Sequence, residues 1–393
     1  MKIDSVRQQE AAHFIPVVSR YPVALVEGRG SRVRDADGKE YLDLMAGWAV
    51  CNIGHCHPAL VEAIRDQAGR LMQTTNIFYT LPQLELIERI AGLSNGALSH
   101  SFLVNSGTEA IEGAVKLAHR ATGRAKFVST EKSFHGRSLG ALRLIGQAKH
   151  RDPYAALLPE GCVVPFDDLD AARAAVDDQT AAFVIEPIQG EGGVNVPDDN
   201  YLAGLSEICR AKGALLICDE VQTGVGRTGT LLGYQYENVT PDIVTLGKGL
   251  GGGFPVAAFT CTSDVAKTVD IGDHGTTFGG NPLASAAANA VLRVVTEEKL
   301  SERATELGAK LQDRLRAFGD EHPGTVSDVR GRGLLVGMEL ADADLAGSLA
   351  ARALEAGVLV NVAAGTVVRF IPALTIPEDE LWEGVDKVLG LIS

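Results

Sequence analysis

Five segments of the chain share one design: a short apolar run that breaks off in polar or glycine-rich residues. They are SFLVNSGTEA, AKFVST, AAFVIEPIQGEGG, GALLICDEVQTG and PDIVTLGKG. Runs without polar alternation suit strands buried on both faces, and helix-period stretches such as TEAIEGAVKLAHRATG and DDNYLAGLSEICRAKG lie between several of them. That pattern predicts an α/β fold with a mostly parallel central sheet and crossover helices. The polar residues then gather at the carboxyl edge of the sheet, where ligands bind in open α/β folds. Beyond about residue 280 the pattern changes to long helices and then to short strands, GRGLLVGMEL and VLVNVAAGTVVRFIP, which predicts a smaller α+β domain. The strand-like GSRVRDADGKEYLDL near the N-terminus is expected to join it.

Charge and composition remove several function classes. The formal net charge of −14 repels phosphate backbones and no long basic run offsets it, so nucleic acid is not expected as a partner. No apolar run approaches the roughly 18 residues of a spanning helix, and MKIDSVRQQEAAHF has no apolar signal core, so no membrane role and a cytoplasmic location are expected. Six cysteines in 393 residues are too sparse for a disulfide framework. Cys51, His55, Cys56 and His57 in CNIGHCHP lack a second matching pair, so a turn before a helix is preferred to a metal site.

Three features carry chemistry. NSGTEA follows an apolar strand and opens a helix, so the free N–H groups around Gly107, with the hydroxyls of Ser106 and Thr108, make an anion cradle; an ordinary helix cap is the competing reading. Asp219 ends the apolar strand of GALLICDE, where a charged carboxylate needs a partner, expected to be cationic. Lys248 ends another apolar strand, between that run and a crowd of glycines. A lysine so placed has its pKa lowered towards nucleophilic use; a surface lysine at a loop start is the alternative. Together the three suggest a cofactor with a phosphate, a protonatable ring nitrogen and an aldehyde, which is pyridoxal phosphate.

On these residues the chain resembles the class III, fold type I, pyridoxal-phosphate aminotransferases over nearly its whole length. NSGTEA, KSFHGR, EPIQGEGGV, DEVQTGVGRTG, TLGKGLGGGFP, HGTTFGGNPLA and VRFIPALTIP follow in family order. Within that class, GHCHPALVEAI, TNIFYT, FHGR and HGTTFGGNPLA are most similar to the acetylornithine aminotransferases. The resemblance implies transfer of the terminal amino group of N-acetylornithine to 2-oxoglutarate, giving N-acetylglutamate semialdehyde and glutamate, a step of arginine biosynthesis. It implies a large cofactor-binding domain over 61–275, a small domain over 276–393, and an N-terminal segment, 1–60, contributing to the small domain and the site entrance.

It also implies roles. Lys248 would hold the cofactor and shuttle the substrate proton; Asp219 would pair with the ring nitrogen and Gln222 with the ring oxygen. Phe134 and Val221 would sandwich the ring, His135 would stand beside it, and Ser106, Gly107 and Thr108 would hold the phosphate. Thr277 would reach the phosphate of the neighbouring subunit, which makes the expected assembly a homodimer with shared sites. Arg137 would take the α-carboxylate of the ornithine-type donor and the side-chain carboxylate of glutamate. Arg369 would take the α-carboxylate of glutamate, with Glu191 covering Arg369 in the other half-reaction.

Other readings are weaker. GVGRTG (Gly224, Gly226, Gly229) and GKGLGG (Gly247, Gly249, Gly252) both satisfy the dinucleotide-binding glycine pattern, with Asp242 near the expected distance, yet neither opens an amphipathic helix directly after its strand. A catalytically dead interaction protein is opposed by intact Lys248 and Asp219. Ornithine δ-aminotransferases usually carry tryptophan at the place of His135, and 4-aminobutyrate aminotransferases usually differ around FGGNPLA. Succinylornithine and N-acyl-lysine donors stay open, because nothing in the sequence places the loops around Trp48.

Overall fold

A computed structural model describes residues 3–159 and 161–392. The chain first makes three short strands, β1 (Leu25–Arg29), β2 (Arg32–Asp35) and β3 (Glu40–Asp43). The central strands follow: β4 (His100–Val104), β5 (Lys126–Thr130), β6 (Cys162–Val164), β7 (Thr180–Ile185), β8 (Leu215–Asp219), β9 (Ile243–Leu246) and β10 (Ala257–Cys261). Helices Pro282–Glu297 and Leu300–Glu321 lead to β11 (Val326–Arg332), β12 (Leu335–Leu340), β13 (Val358–Leu359), β14 (Asn361–Ala363) and β15 (Val367–Phe370).

The central sheet has the order β4-β10-β9-β8-β7-β5-β6. Only β10 runs against its neighbours; the other pairings are parallel. The reason lies in burial: all six residues of β7, Thr180–Ile185, are buried, which requires helices on both faces of the sheet. The helix Gly107–Thr122 covers one face, its apolar side built from Ala110, Ile111, Ala114, Val115 and Ala118, and it stops at Gly123 in the left-handed conformation.

The two smaller sheets interleave the chain ends. β13 pairs in parallel with β3, so residues near 358 complete a sheet begun near residue 25. The other sheet, β11-β12-β15-β14, is antiparallel and packs on Leu300–Glu321. A buried arginine joins these parts: Arg227 Nη1 donates to the carbonyls of Leu334 and Pro372, and Nη2 to Asn52 Oδ1. Among the described residues no carboxylate pairs with it, and burial pulls its pKa down to about 9.

Candidate active site

The loops after β4, β5, β7, β8 and β9 bring most of the predicted residues to one edge of the central sheet. They border a cavity of about 800 Å³ lined by Trp48, Phe134, Arg137, Glu191, Lys248 and Asn361 among others. A second, more apolar cleft of about 540 Å³, beside Phe102 and Phe259, holds none of the predicted groups.

Lys248 follows β9 with φ at 41°, a left-handed conformation that is strained for any residue with a side chain. Its ammonium makes no hydrogen bond or ion pair among the described residues. Burial lowers its pKa; the negative charges of Glu191, Glu186 and Asp219 act in the opposite direction. An unpaired amine with a lowered pKa is suited to attack a carbonyl.

Asp219 is only 4% exposed. Its Oδ1 accepts from Val221 N at 3.0 Å and Thr245 Oγ1 at 3.2 Å, and its Oδ2 meets His135 Nδ1 at 2.7 Å. The anticipated cation at this carboxylate is therefore an imidazole rather than a lysine or arginine. Burial works against a charged His135, yet Asp219 raises its pKa above the ordinary value. His135 thus stands behind Asp219, and its Nε2 is buried without a partner.

NSGTEA opens the helix Gly107–Thr122 and caps it. Ser106 Oγ accepts from Glu109 N at 3.4 Å, and Ser106 Oγ and Asn105 N donate to Glu109 Oε2, each at 2.9 Å. The helix-cap reading of NSGTEA is thus observed directly. Gly107 packs against Val221, whose Cγ1 would lie 2.7 Å from a β-carbon built there. Thr108 Oγ1 bonds Ser138 Oγ at 2.6 Å.

Arg369 is fully buried on β15, between Gly337 of β12 and Asn361 of β14. Its Nε donates to Asn361 Oδ1, its Nη1 to Glu191 Oε1 at 2.8 Å and to Gln222 Oε1 at 3.1 Å, and its Nη2 is left without a partner. Gln222 Nε2 donates to the same Glu191 oxygen at 3.2 Å. Burial opposes a charged Glu191, but Arg369 and Lys248 hold its pKa down to about 2. Arg137 is exposed, with its guanidinium 5.3 Å from the centre of the Phe134 ring. Thr277 stands apart from the cavity; it is exposed, and its carbonyl accepts from Gln73 Nε2.

The loop around Trp48 now has a place. Residues 46–49 form a left-handed turn, with φ of 45°, 61°, 63° and 63°, and such a turn costs non-glycine residues about 1–2 kcal/mol each. Asp43 offsets that strain by accepting from Met45 N and Ala46 N, and its second oxygen bonds His55 Nε2 at 2.7 Å. His57 then precedes the helix Pro58–Ala68. The turn sets half-exposed Trp48 at the mouth of the cavity.

Glu186 escaped the sequence analysis although EPIQGEGGV contains it. Its signal was available: it ends the apolar run AAFVI much as Asp219 ends ALLIC. Asn361 had no comparable signal, because its importance comes only from pairing with β15.

The family model for "Aminotransferase class-III" matches residues 15–392, and the chain belongs to that family. It is a pyridoxal-phosphate-dependent aminotransferase. The acetylornithine aminotransferase of Methanopyrus kandleri is 48% identical over 92% of this chain and 92% of its own. That of Methanosarcina acetivorans is 43% identical over 98% and 95%. Among solved structures, the acetylornithine aminotransferase of Elizabethkingia anophelis superposes with a TM-score of 0.87 at 35% identity, covering 100% of this chain and 99% of that one. The ornithine aminotransferase of Toxoplasma gondii reaches 0.95 at 34% identity, covering 100% and 95%.

The residues present fit the cofactor. A glycine-lined helix start can take a phosphate, an unpaired amine can take an aldehyde, and a buried carboxylate backed by an imidazole can face a ring nitrogen.

Proposed function

We propose that the chain transfers the terminal amino group of N-acetylornithine to 2-oxoglutarate, giving N-acetylglutamate semialdehyde and glutamate, as a cytoplasmic step of arginine biosynthesis. The observation that carries this reading is the Glu191–Arg369 pair, whose Glu191 lines the same cavity as the unpaired Lys248. The names of the relatives support the acylated donor.

Pyridoxal phosphate, when bound, supplies the aldehyde that receives the amino group and a ring that withdraws electrons from the reacting carbon. The protein's residues do the rest. Lys248 holds the cofactor and then moves the proton from the substrate carbon. Asp219, held by His135, Val221 and Thr245, keeps the ring nitrogen protonated. Gln222 would reach the ring oxygen, Phe134 and Val221 would cover the ring faces, and Ser106, Gly107 and Thr108 would hold the phosphate. Arg137 binds the α-carboxylate of the donor while Glu191 neutralises Arg369. When glutamate or 2-oxoglutarate enters, Glu191 withdraws and Arg369 offers its fork, including the unpaired Nη2, to the α-carboxylate.

This reading divides the chain into the N-terminal segment 1–60, the large domain 61–275 and the small domain 276–393. It also makes the enzyme a homodimer in which Thr277 completes the neighbour's phosphate site. Exposed Leu71, Met72, Ile77, Phe78, Tyr79 and Leu81, close in sequence to the Gln73–Thr277 contact, offer the apolar surface such an interface needs. Sedimentation tests the assembly: a fully active monomer overturns it. A panel of amino donors with 2-oxoglutarate, read out as glutamate, tests the substrate. N-acetylornithine should give the highest kcat/KM, and a higher value for ornithine or 4-aminobutyrate sinks the assignment.

A further inference from the structure

Glu186, the first residue after β7, is 5% exposed and has no lysine or arginine as an ion-pair partner among the described residues. Both of its oxygens are occupied by backbone donors from two loops of the site. Phe134 N donates to Oε1 at 2.9 Å, and Gly190 N donates to Oε2 at 3.1 Å. The first loop carries the ring-covering Phe134 and His135. The second carries Glu191, and Gly190 packs so tightly on Gln222 that a β-carbon there would lie 1.7 Å from Gln222 Oε1.

We propose that Glu186 is a positioning residue for the cofactor ring, fixing both loops and setting, through His135 and Asp219, how firmly the ring nitrogen keeps its proton. The inference rests on the assignment of Asp219 to that nitrogen. The charged groups facing Glu186 are His135 from the loop after β5, Asp219 at the end of β8 and Lys248 after β9. His135 Nδ1 is committed to Asp219, while its buried Nε2 is free. An ionised Glu186 therefore favours imidazolium over imidazole at His135 and stabilises positive charge throughout this corner. Burial, reinforced by Asp219, pushes the Glu186 carboxyl up to about 7 against the pull of His135 and the two amides. Its charge thus changes near neutral pH, where the reaction runs.

The test is a pH titration of the visible absorption of the lysine-linked cofactor, which follows the imine proton conjugated and coupled to the ring nitrogen, in the holoenzyme and in Glu186→Gln. Above pH 7 the variant lacks one negative charge, so its apparent pKa should fall by about 1 pH unit, as for a unit charge removed from roughly 10 Å away at an effective dielectric near 20. In the cofactor-free protein the His135 ring, followed by proton NMR, should titrate at lower pH in the variant. A folded Glu186→Gln with both titrations unchanged overturns the proposal and leaves Glu186 a purely structural clamp. Should the amide clash with its two N–H donors and prevent folding, Glu186→Asp keeps the charge on a shorter arm. It should bind cofactor more weakly with a wild-type titration, and a shifted titration there overturns the proposal. A wild-type protein that never shows the visible band after reconstitution overturns the cofactor site itself and this inference with it.

Discussion

Glu191 and Arg369 are paired at 2.8 Å across 178 positions of sequence, and one nitrogen of that guanidinium remains buried without a partner. The proposed mechanism has Glu191 withdraw when glutamate enters, so that Arg369, with Nη2 already unpaired, takes its α-carboxylate. Arg369→Ala should therefore reduce glutamate turnover by about 100-fold or more, the loss of one charged bidentate contact, and reduce N-acetylornithine turnover much less. Half-reactions monitored separately at the cofactor absorbance decide it; equal losses count against the switch.

Lys248→Ala should abolish the borohydride-sensitive visible band and lower transamination by at least about three orders of magnitude. The unfolding temperature should hold or rise, because the substitution removes an unpaired buried amine. Spectra and steady-state rates on the reconstituted variant check both parts.

Gly107→Ala should weaken cofactor binding by about tenfold or more while leaving the unfolding temperature within a few degrees of wild type. The added methyl group would sit 2.7 Å from Val221 Cγ1 and must push aside either Val221, proposed to cover the ring, or the helix start proposed to hold the phosphate. Equilibrium binding of pyridoxal phosphate to the cofactor-free protein gives the answer.

The His55–Asp43 pair ties the left-handed turn beneath Trp48 to stability. Asp43 raises His55 from its ordinary value of 6.5 to about 10. A basic group raised on folding contributes fully below 6.5, and that contribution is lost as pH climbs through 10. Wild type should accordingly be more stable than His55→Gln by a few kcal/mol at pH 6, and the gap should close by pH 10.5. Urea unfolding across that range measures it.

Arg227→Met should destabilise the fold by about 2–4 kcal/mol. The methionine fills most of the volume but leaves the Leu334 and Pro372 carbonyls and the Asn52 amide oxygen without their donor. Chemical denaturation of the cofactor-free protein tests this without interference from cofactor binding.

Much of the site was legible because its chemistry conflicts with its surroundings. Asp219 and Lys248 each end an apolar strand, and a charge in that position needs a reason. The same conflict at Glu186, beside AAFVI, passed unremarked. The protein's own partner at Asp219 was not legible either: it is an imidazole 84 positions earlier in the chain.

By itself the sequence determined the central strands and helices, the carboxyl-edge gathering of polar loops and which polar residues end apolar runs, since each follows from local periodicity or from a polar residue stranded next to an apolar run. Only the tertiary structure decided which of those groups meet. The long-range pairings of Arg369 with Glu191 and Asn361, of Glu186 with two separate loops, and of β13 with β3 depend on how sheets and turns pack. No local pattern encodes that packing, because the free energy that selects it comes from burial summed over the whole core.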